Sequence, residues 1–277
     1  MNTEKVSSLL DSWIDEDSAL KDVTTQLIDS KKNAEFIVTG GPGVLSGSII
    51  TTHLMSKVGL ICKFLKSDGD SISNNETIAL ISGEFNLILS RERLFLNLLS
   101  HLSGISTLTK EIVDIVNSTN SNTTVLATRK TTPGLRFLEK EAVIHGGGAP
   151  HRFDLNEAIL VKDNHLNFID NLETYVKNAK NKYPDKKIEV EADTINQALT
   201  FVHLPIDRLM LDNFTPKEAK KAYSKIKEIN PSLEIEISGG LNKKNILDYV
   251  NCADFLSLSC LTMNAPPIDF SIHVNKN

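Results

Sequence analysis

Two hydrophobic rhythms divide this chain. Residues 6–14 carry apolar side chains at helical spacing and run into the acidic turn Asp15-Glu16-Asp17. Residues 22–25 open an extended stretch. Residues 34–38 read as a strand that stops at Gly40-Gly41-Pro42, and 77–81 as another that stops at Ser82-Gly83. Apolar segments at 44–55 and 61–65 lie between them, and 84–116 keeps a helical period with an interruption expected near Gly104. Helices and strands alternate irregularly through this first part, as in an α+β domain.

After Asn117 the alternation becomes regular. Strand-like runs fall at 124–127, 158–161, 188–190, 209–211, 234–237 and 255–258. Helical patterns between them include 172–180, 194–202, 216–229 and 243–250. Thr215 before Pro216 predicts a capped helix start, and Asn242 is a candidate cap for the helix after it. Strand and helix in repetition imply right-handed βα units on a parallel sheet. Strands without edge protection predict a closed or nearly closed barrel; a doubly wound open sheet is the other arrangement that this pattern allows. The polar run 117–124 reads as a hinge or loop.

Composition narrows the class. A chain of 277 residues fits one large domain or two small ones, and 40% hydrophobic with 23% charged residues is ordinary for a globular protein. The net charge of −5 argues against nucleic acid as a partner, since a general binder would present a broad basic face. Cys62, Cys252 and Cys260 are far apart and form no CxxC, as expected of free thiols in a reducing compartment. The N-terminus is acidic and lacks a basic segment followed by an apolar one. No apolar run approaches the ~18 residues that span a bilayer. A cytoplasmic protein with no membrane partner is expected.

Against that acidic background, residues 128–165 concentrate positive charge. Arg129, Lys130, Arg136, Lys140, His145, His151, Arg152, Lys162 and His165 surround a Gly146-Gly147-Gly148 turn. Cationic side chains beside a flexible turn suit a small polyanion. In a βα barrel, chemistry gathers where strands end. The residues there are Arg129-Lys130, Lys162, Glu191, Asp212, Ser238-Gly239-Gly240 and Ser259. Arg129, Lys130 and Lys162, joined by His151 and Arg152, make a positive half, and Glu191 with Asp212 a negative one. The Ser-Gly-Gly turn offers backbone N–H groups suited to a phosphate monoester. The carboxylates suit Mg2+ and ribose hydroxyls, and stabilise a developing oxocarbenium ion. Such a site fits a phosphorylated sugar bearing a pyrophosphate, with Mg2+, beside an anionic second substrate. Plainer roles fit the same residues: ion pairs of Glu191 and Asp212 with Lys162 and Arg129, a simple connection at the Ser-Gly-Gly turn, and a solvated helix face for Arg91, Glu92 and Arg93. His145 and His165 read as loop or hydrogen-bonding residues, and no histidine pair has metal-ligand spacing.

The segments TRKTTPGLR, GGGAPHR, LVKDNH, EVEA, MLDNF and EISGG occur in that order, after RERLFLNLLSHLSGISTLT. Together they closely resemble the quinolinate phosphoribosyltransferase family (nicotinate-nucleotide pyrophosphorylase, carboxylating) over nearly the whole chain, from Asp22 to Phe270. The resemblance implies an N-terminal α/β sandwich over 1–108 and an incomplete parallel α/β barrel with the active site over 109–264. The tail from about 265 to 277 would return to the first domain. It implies a homodimer with active sites shared between subunits, higher oligomers being left open. The implied reaction transfers phosphoribosyl from phosphoribosyl pyrophosphate to quinolinate and releases CO2, giving nicotinate mononucleotide and pyrophosphate in NAD biosynthesis. Carried over residue by residue, Arg129, Lys130, His151, Arg152 and Lys162 hold the substrate carboxylates, and Arg93 reaches the same pocket from the neighbouring subunit. Glu191 and Asp212 face the ribose and Mg2+, directly or indirectly, and act with Lys130 in catalysis. Ser238, Gly239 and Gly240 bind the 5′-phosphate, with Ser259 at the same end.

Three positions depart from the family pattern. Ser259 replaces a glycine, Met263 replaces a histidine, and Ala149-Pro150 stands where a polar residue commonly precedes the loop histidine. Loss of a charge-assisted contact to phosphate costs about 1.5–3 kcal/mol. These departures leave two alternatives open: a pyrophosphorylase-like paralogue of the molybdenum-transport-associated type acting on another base, and a non-catalytic binder of anionic metabolites. Retention of both Glu191 and Asp212 argues against the binder, because a pure anion site gains nothing from negative charge.

Overall fold

In the computed structural model, residues 3–28, 32–119 and 121–276 are described. The chain begins with α1 (Thr3–Glu16), β1 (Asn33–Gly40), the short β2 (Gly43–Val44), α2 (Ser48–Ser56), β3 (Ile61–Phe64), the short β4 (Ser71–Ile72), β5 (Glu76–Glu84) and the long α3 (Phe85–Asn117). It continues through β6 (Thr124–Ala127), α4 (Arg136–His145), β7 (Ile159–Val161), the single turn α5 (Asp163–Leu166), α6 (Leu172–Lys182), β8 (Ile188–Ala192), α7 (Ile195–Phe201) and β9 (Arg208–Asp212). Last come α8 (Pro216–Ile229), β10 (Glu234–Ser238), β11 (Phe255–Leu258), the single turn α9 (Cys260–Met263) and β12 (Phe270–Val274). Two compact units result, one of residues 1–110, 137–147 and 265–277, the other of 111–136 and 148–264.

The first unit is built on an antiparallel sheet in the order β12-β1-β5-β3. Phe36 and Val38 of β1 and Ile78, Ala79 and Ile81 of β5 are buried. The C-terminal segment returns to this unit, and β12 pairs with β1 from Phe36↔Val274 to Gly40↔Phe270. Two expectations are corrected here. Residues 22–25 do not extend; they lead into a 3-10 turn at Thr25–Leu27, nucleated by the Asp22 carboxylate accepting the Thr24 N–H at 2.9 Å. Gly104 does not interrupt α3, which is one helix; a Cβ there would lie 2.3 Å from the carbonyl oxygen of Pro266, so the glycine makes room for the returning segment. Gly146 has a similar cause. A Cβ on it would lie 2.4 Å from the Ser106 carbonyl oxygen, so this first glycine of the turn makes room for α3.

The second unit is a six-stranded parallel sheet in the order β6-β11-β10-β9-β8-β7. Strands β7 to β11 lie side by side in sequence order with no reversal, which rules out a doubly wound sheet. The first strand, β6, pairs with the last, β11, as barrel closure requires. The ladder stays open between β6 and β7, so the barrel is incomplete. Ala149 covers part of that break by bridging Leu126. The Ile, Val and Leu members of β8 to β11 are buried with Val176, Ala198, Ala219, Ala222 and Ile226 of the surrounding helices. Thr215 caps α8 as predicted: its hydroxyl accepts the Glu218 N–H at 3.3 Å, and Pro216 opens the helix. The helix expected at 243–250 is instead a pair of 3-10 turns, Ile246–Asp248 and Val250–Cys252. Asn242 Oδ1 accepts the Lys244 N–H and Asn245 Oδ1 accepts the Asn242 N–H, both at 2.9 Å, which satisfies the backbone locally and competes with a helix. Asn120, within the polar run 117–124, lies outside the described residues.

Candidate active site

Alternation along the barrel strands separates two chemistries. In β8, Ile188, Val190 and Ala192 share one face and Glu189 and Glu191 the other. In β9 the polar face carries Arg208 and Asp212 about Met210; in β10 it carries Glu234, Glu236 and Ser238; in β11 it carries Ser257. Register stacks these residues in tiers. Arg208 lies beside both Glu189 and Glu234, Met210 beside Glu191 and Glu236, and Asp212 beside Ser238. Both faces of a parallel sheet are ordinarily apolar, so charge repeated on one face marks a site.

A cavity of about 340 Å³ opens on this face, lined by Thr128, Arg129, Lys130, His151, Arg152, Leu160, Lys162, Met210, Asp212, Glu236, Ser238 and Ser257. The five basic residues predicted from the sequence thus meet Asp212 and Ser238 around one space. Arg129 Nε is buried with no hydrogen-bond partner, a donor that an anion would satisfy. Arg152 donates to the Ala158 carbonyl oxygen at 2.9 Å, and burial together with the neighbouring Arg129 charge lowers its pKa. Lys162 forms a short ion pair with Glu191, which stands just behind the lining. The other cations of the basic segment go elsewhere. Lys140 and His145 lie on α4 in the first unit, Arg136 bonds to Thr131 and Phe153, and His165 Nδ1 accepts the Lys162 N–H.

Glu191 and Asp212 converge with Asp193, their carboxylate oxygens lying within 4.8 Å of one another. This all-oxygen donor set suits a hard divalent cation. Asp193 was not among the predicted residues, although it lies two positions beyond Glu191. The Ser238-Gly239-Gly240 turn follows β10. Gly239 and Gly240 adopt φ of 96° and 64°, and a Cβ on Gly239 would sit 2.2 Å from Asn213 Oδ1. Only glycine fits that approach. Neither glycine lines the cavity, nor does Ser259, whose carbonyl accepts the Met263 N–H at 3.1 Å in α9. Met263 is exposed. Arg93 is exposed on α3 and is not part of the cavity lining within this chain; Arg91, read as part of the same solvated face, is buried.

At the wall of the cavity, His151 belongs to a polar cluster whose other members, Glu189, Arg208 and Glu236, were not among the predicted residues. His151 Nε2 is 3.3 Å from Glu189 Oε2 and 3.2 Å from Glu236 Oε2. Arg208 donates to Glu236 Oε2 at 2.8 Å, and Ser257 donates to Glu236 Oε1 at 2.5 Å. Burial pulls the His151 pKa down, but the two carboxylates outweigh it and push it up to about 9. The Arg152 amide, which donates to Nδ1 at 2.6 Å, works against that charge. Burial and the charge of Glu236 raise the pKa of Glu189, whereas bonds from His151 and Ser257 overcome burial and lower that of Glu236. The sequence signal for these residues was the polar alternation within EVE and EIEIS, not the strand ends.

Comparisons with known proteins identify the family. The quinolinate phosphoribosyl transferase C-terminal domain matches residues 105–273, and the N-terminal domain of the same family matches 22–103. A probable carboxylating nicotinate-nucleotide pyrophosphorylase of Archaeoglobus fulgidus is 35% identical over 91% of this chain and 98% of that protein. One from Methanocaldococcus jannaschii is 35% identical over 96% of each. The structure of the nicotinate-nucleotide pyrophosphorylase from Francisella tularensis superposes with a TM-score of 0.90 at 28% identity, covering 99% of this chain and 98% of that one. With both domains matched in order along nearly its full length, the chain belongs to the quinolinate phosphoribosyl transferase family.

Proposed function

We propose that this protein transfers phosphoribosyl from phosphoribosyl pyrophosphate to quinolinate with decarboxylation, yielding nicotinate mononucleotide, pyrophosphate and CO2 for NAD biosynthesis. The observation that carries this reading is the convergence of Arg129, Lys130, His151, Arg152 and Lys162 with Asp212 and Ser238 around one cavity. Arg129, Lys130, Arg152 and Lys162 hold the two carboxylates of the planar diacid and turn its ring nitrogen toward C1 of the sugar, while His151, expected among them, faces Glu189 and Glu236 instead. Orientation of two reactants in this way supplies roughly 7–11 kcal/mol of the barrier. Glu191 and Asp212 stabilise positive charge on the ribose. The Ser238-Gly239-Gly240 turn takes the 5′-phosphate on backbone N–H groups. Glu191, Asp193 and Asp212 would hold Mg2+, which when bound neutralises charge on the departing pyrophosphate. Once C1 is bonded to the ring nitrogen, that nitrogen is cationic. The adjacent carboxylate then leaves as CO2, and the electron pair left on the ring carbon takes a proton.

The same reading extends to assembly and place. An exposed Arg93 outside its own chain's cavity supports a homodimer in which each barrel receives that residue from its partner. Free Cys62, Cys252 and Cys260 support a cytoplasmic setting, and among the described residues no helix is long and apolar enough to cross a membrane. The test is to incubate the protein with quinolinate, phosphoribosyl pyrophosphate and Mg2+ and to quantify CO2 and pyrophosphate. Equal release of both is expected. Pyrophosphate from another base with none from quinolinate would replace the acceptor, and absence of both products would sink the reading.

A further inference from the structure

His151, Glu189, Arg208 and Glu236 form a polar cluster at the wall of the cavity, with His151 and Glu236 in its lining, and the transfer chemistry above gives none of the four a role. His151 has a φ of 48°, a left-handed conformation that is unfavourable for a residue with a Cβ. Something must hold it there. We infer that Glu236 and Arg208 are positioning residues of the acceptor pocket: Glu236, fixed by Arg208, anchors the His151 imidazole, which keeps the main chain at His151 left-handed and aims Arg152 at the diacid. The acceptor named here rests on the function proposed above; the anchoring does not.

Three observations support the anchoring. His151 Nε2 faces both Glu189 and Glu236, and Arg208 bridges Glu236 to Glu234, so removing Glu236 breaks the contacts of His151 and Arg208 together. Each partner is itself pinned. The Arg208 guanidinium carbon lies 3.7 Å from the Phe255 ring centre, and Arg208 bonds Glu234 as well as Glu236, while Glu236 also accepts from Ser257. Glu189 Oε1 is buried without a hydrogen bond, so withdrawing His151 would strand that carboxylate. Finally, His151 and Arg152 line a second cavity of about 260 Å³ together with Glu189 and Arg208. The pair therefore stands between two cavities, where the contacts of its side chains help to fix its position. The raised pKa of His151 has the same cause, the two carboxylates that the ring faces.

The test uses Glu236→Gln in the full-length protein. Its crystal structure is expected to show residue 151 outside the left-handed region and Arg152 parted from the Ala158 carbonyl. An unchanged main chain at 151 and 152 would overturn the inference, whatever the substrate proves to be. In steady-state kinetics KM for quinolinate is expected to rise roughly 10–100-fold. KM for phosphoribosyl pyrophosphate should stay within about twofold. In an Arg152→Ala background the same substitution should add nothing to KM for quinolinate; an undiminished effect there, or an equal rise for both substrates, counts against positioning. If Glu236→Gln does not fold, Ser257→Ala removes one bond to the carboxylate and is expected to give the same split in weaker form. A wild-type protein inert toward quinolinate would sink the function while leaving the crystallographic outcome to decide the anchoring.

Discussion

Arg91 is a guanidinium only 2% exposed, and among the described residues it forms no ion pair. Its Nη1 donates to Ser90 Oγ at 2.8 Å and to the Leu87 carbonyl at 3.3 Å, its Nε has no partner, and burial lowers its pKa. An uncompensated buried charge is a liability that an unbranched apolar side chain removes. Arg91→Met is therefore expected to be neutral or stabilising, by up to about 3 kcal/mol, in urea denaturation; a clear loss of stability would mean that those two bonds outweigh desolvation. His151 gives a pH dependence. Its folded pKa of about 9 lies above the ordinary 6.5, so its charge favours the folded state in full below pH 6.5. That contribution drains away as pH rises through 9. Urea midpoints across this window should fall in the wild type and fall less in Glu236→Gln; parallel curves would detach the effect from His151. Residue identities gave the cavity's cations directly, because charge at a strand end has few structural uses. They could not give Arg91, since sequence spacing does not say which helix face meets a core.

Among the elements, α3 shows why local propensity misleads. Glycine lowers helix stability by about 1 kcal/mol relative to alanine, which is the reason for expecting an interruption at Gly104. The returning 266–267 segment overrides that term, since a Cβ at 104 would collide with the Pro266 carbonyl. Gly104→Ala should thus destabilise by about 1–3 kcal/mol despite its better helix propensity. A higher melting temperature would show that the returning segment yields without strain. The barrel strands were legible from apolar runs, and α8 from its Thr-Pro start, because both signals are local. Helix α4 was hidden by its own charges. Leu138, Ala142 and Val143 are buried on it, but Glu139 and Lys140 are buried too, which blurs the amphipathic pattern. The turns at 246–252 mimic helical spacing for less than two turns, too short for periodicity to distinguish.

For the whole molecule the informative experiment is complementation. If each barrel borrows Arg93 from a partner, Arg93→Ala and Lys162→Ala homodimers should each be impaired. Heterodimers formed by subunit exchange should regain one competent site, about half the wild-type activity per exchanged dimer. No recovery after proven exchange would count against a shared pocket. The chain's threading has a separate consequence. Between β6 and β7 it leaves the barrel unit, donates α4 to the first unit, and comes back. Two halves of the basic cavity lining, Arg129-Lys130 and His151-Arg152, flank that excursion. Neither unit can therefore be inherited as a free-standing module. A gene fragment encoding the barrel alone would carry an orphan helix with Leu138, Ala142 and Val143 bared to solvent, so recombination is expected to move the pair together or leave both behind.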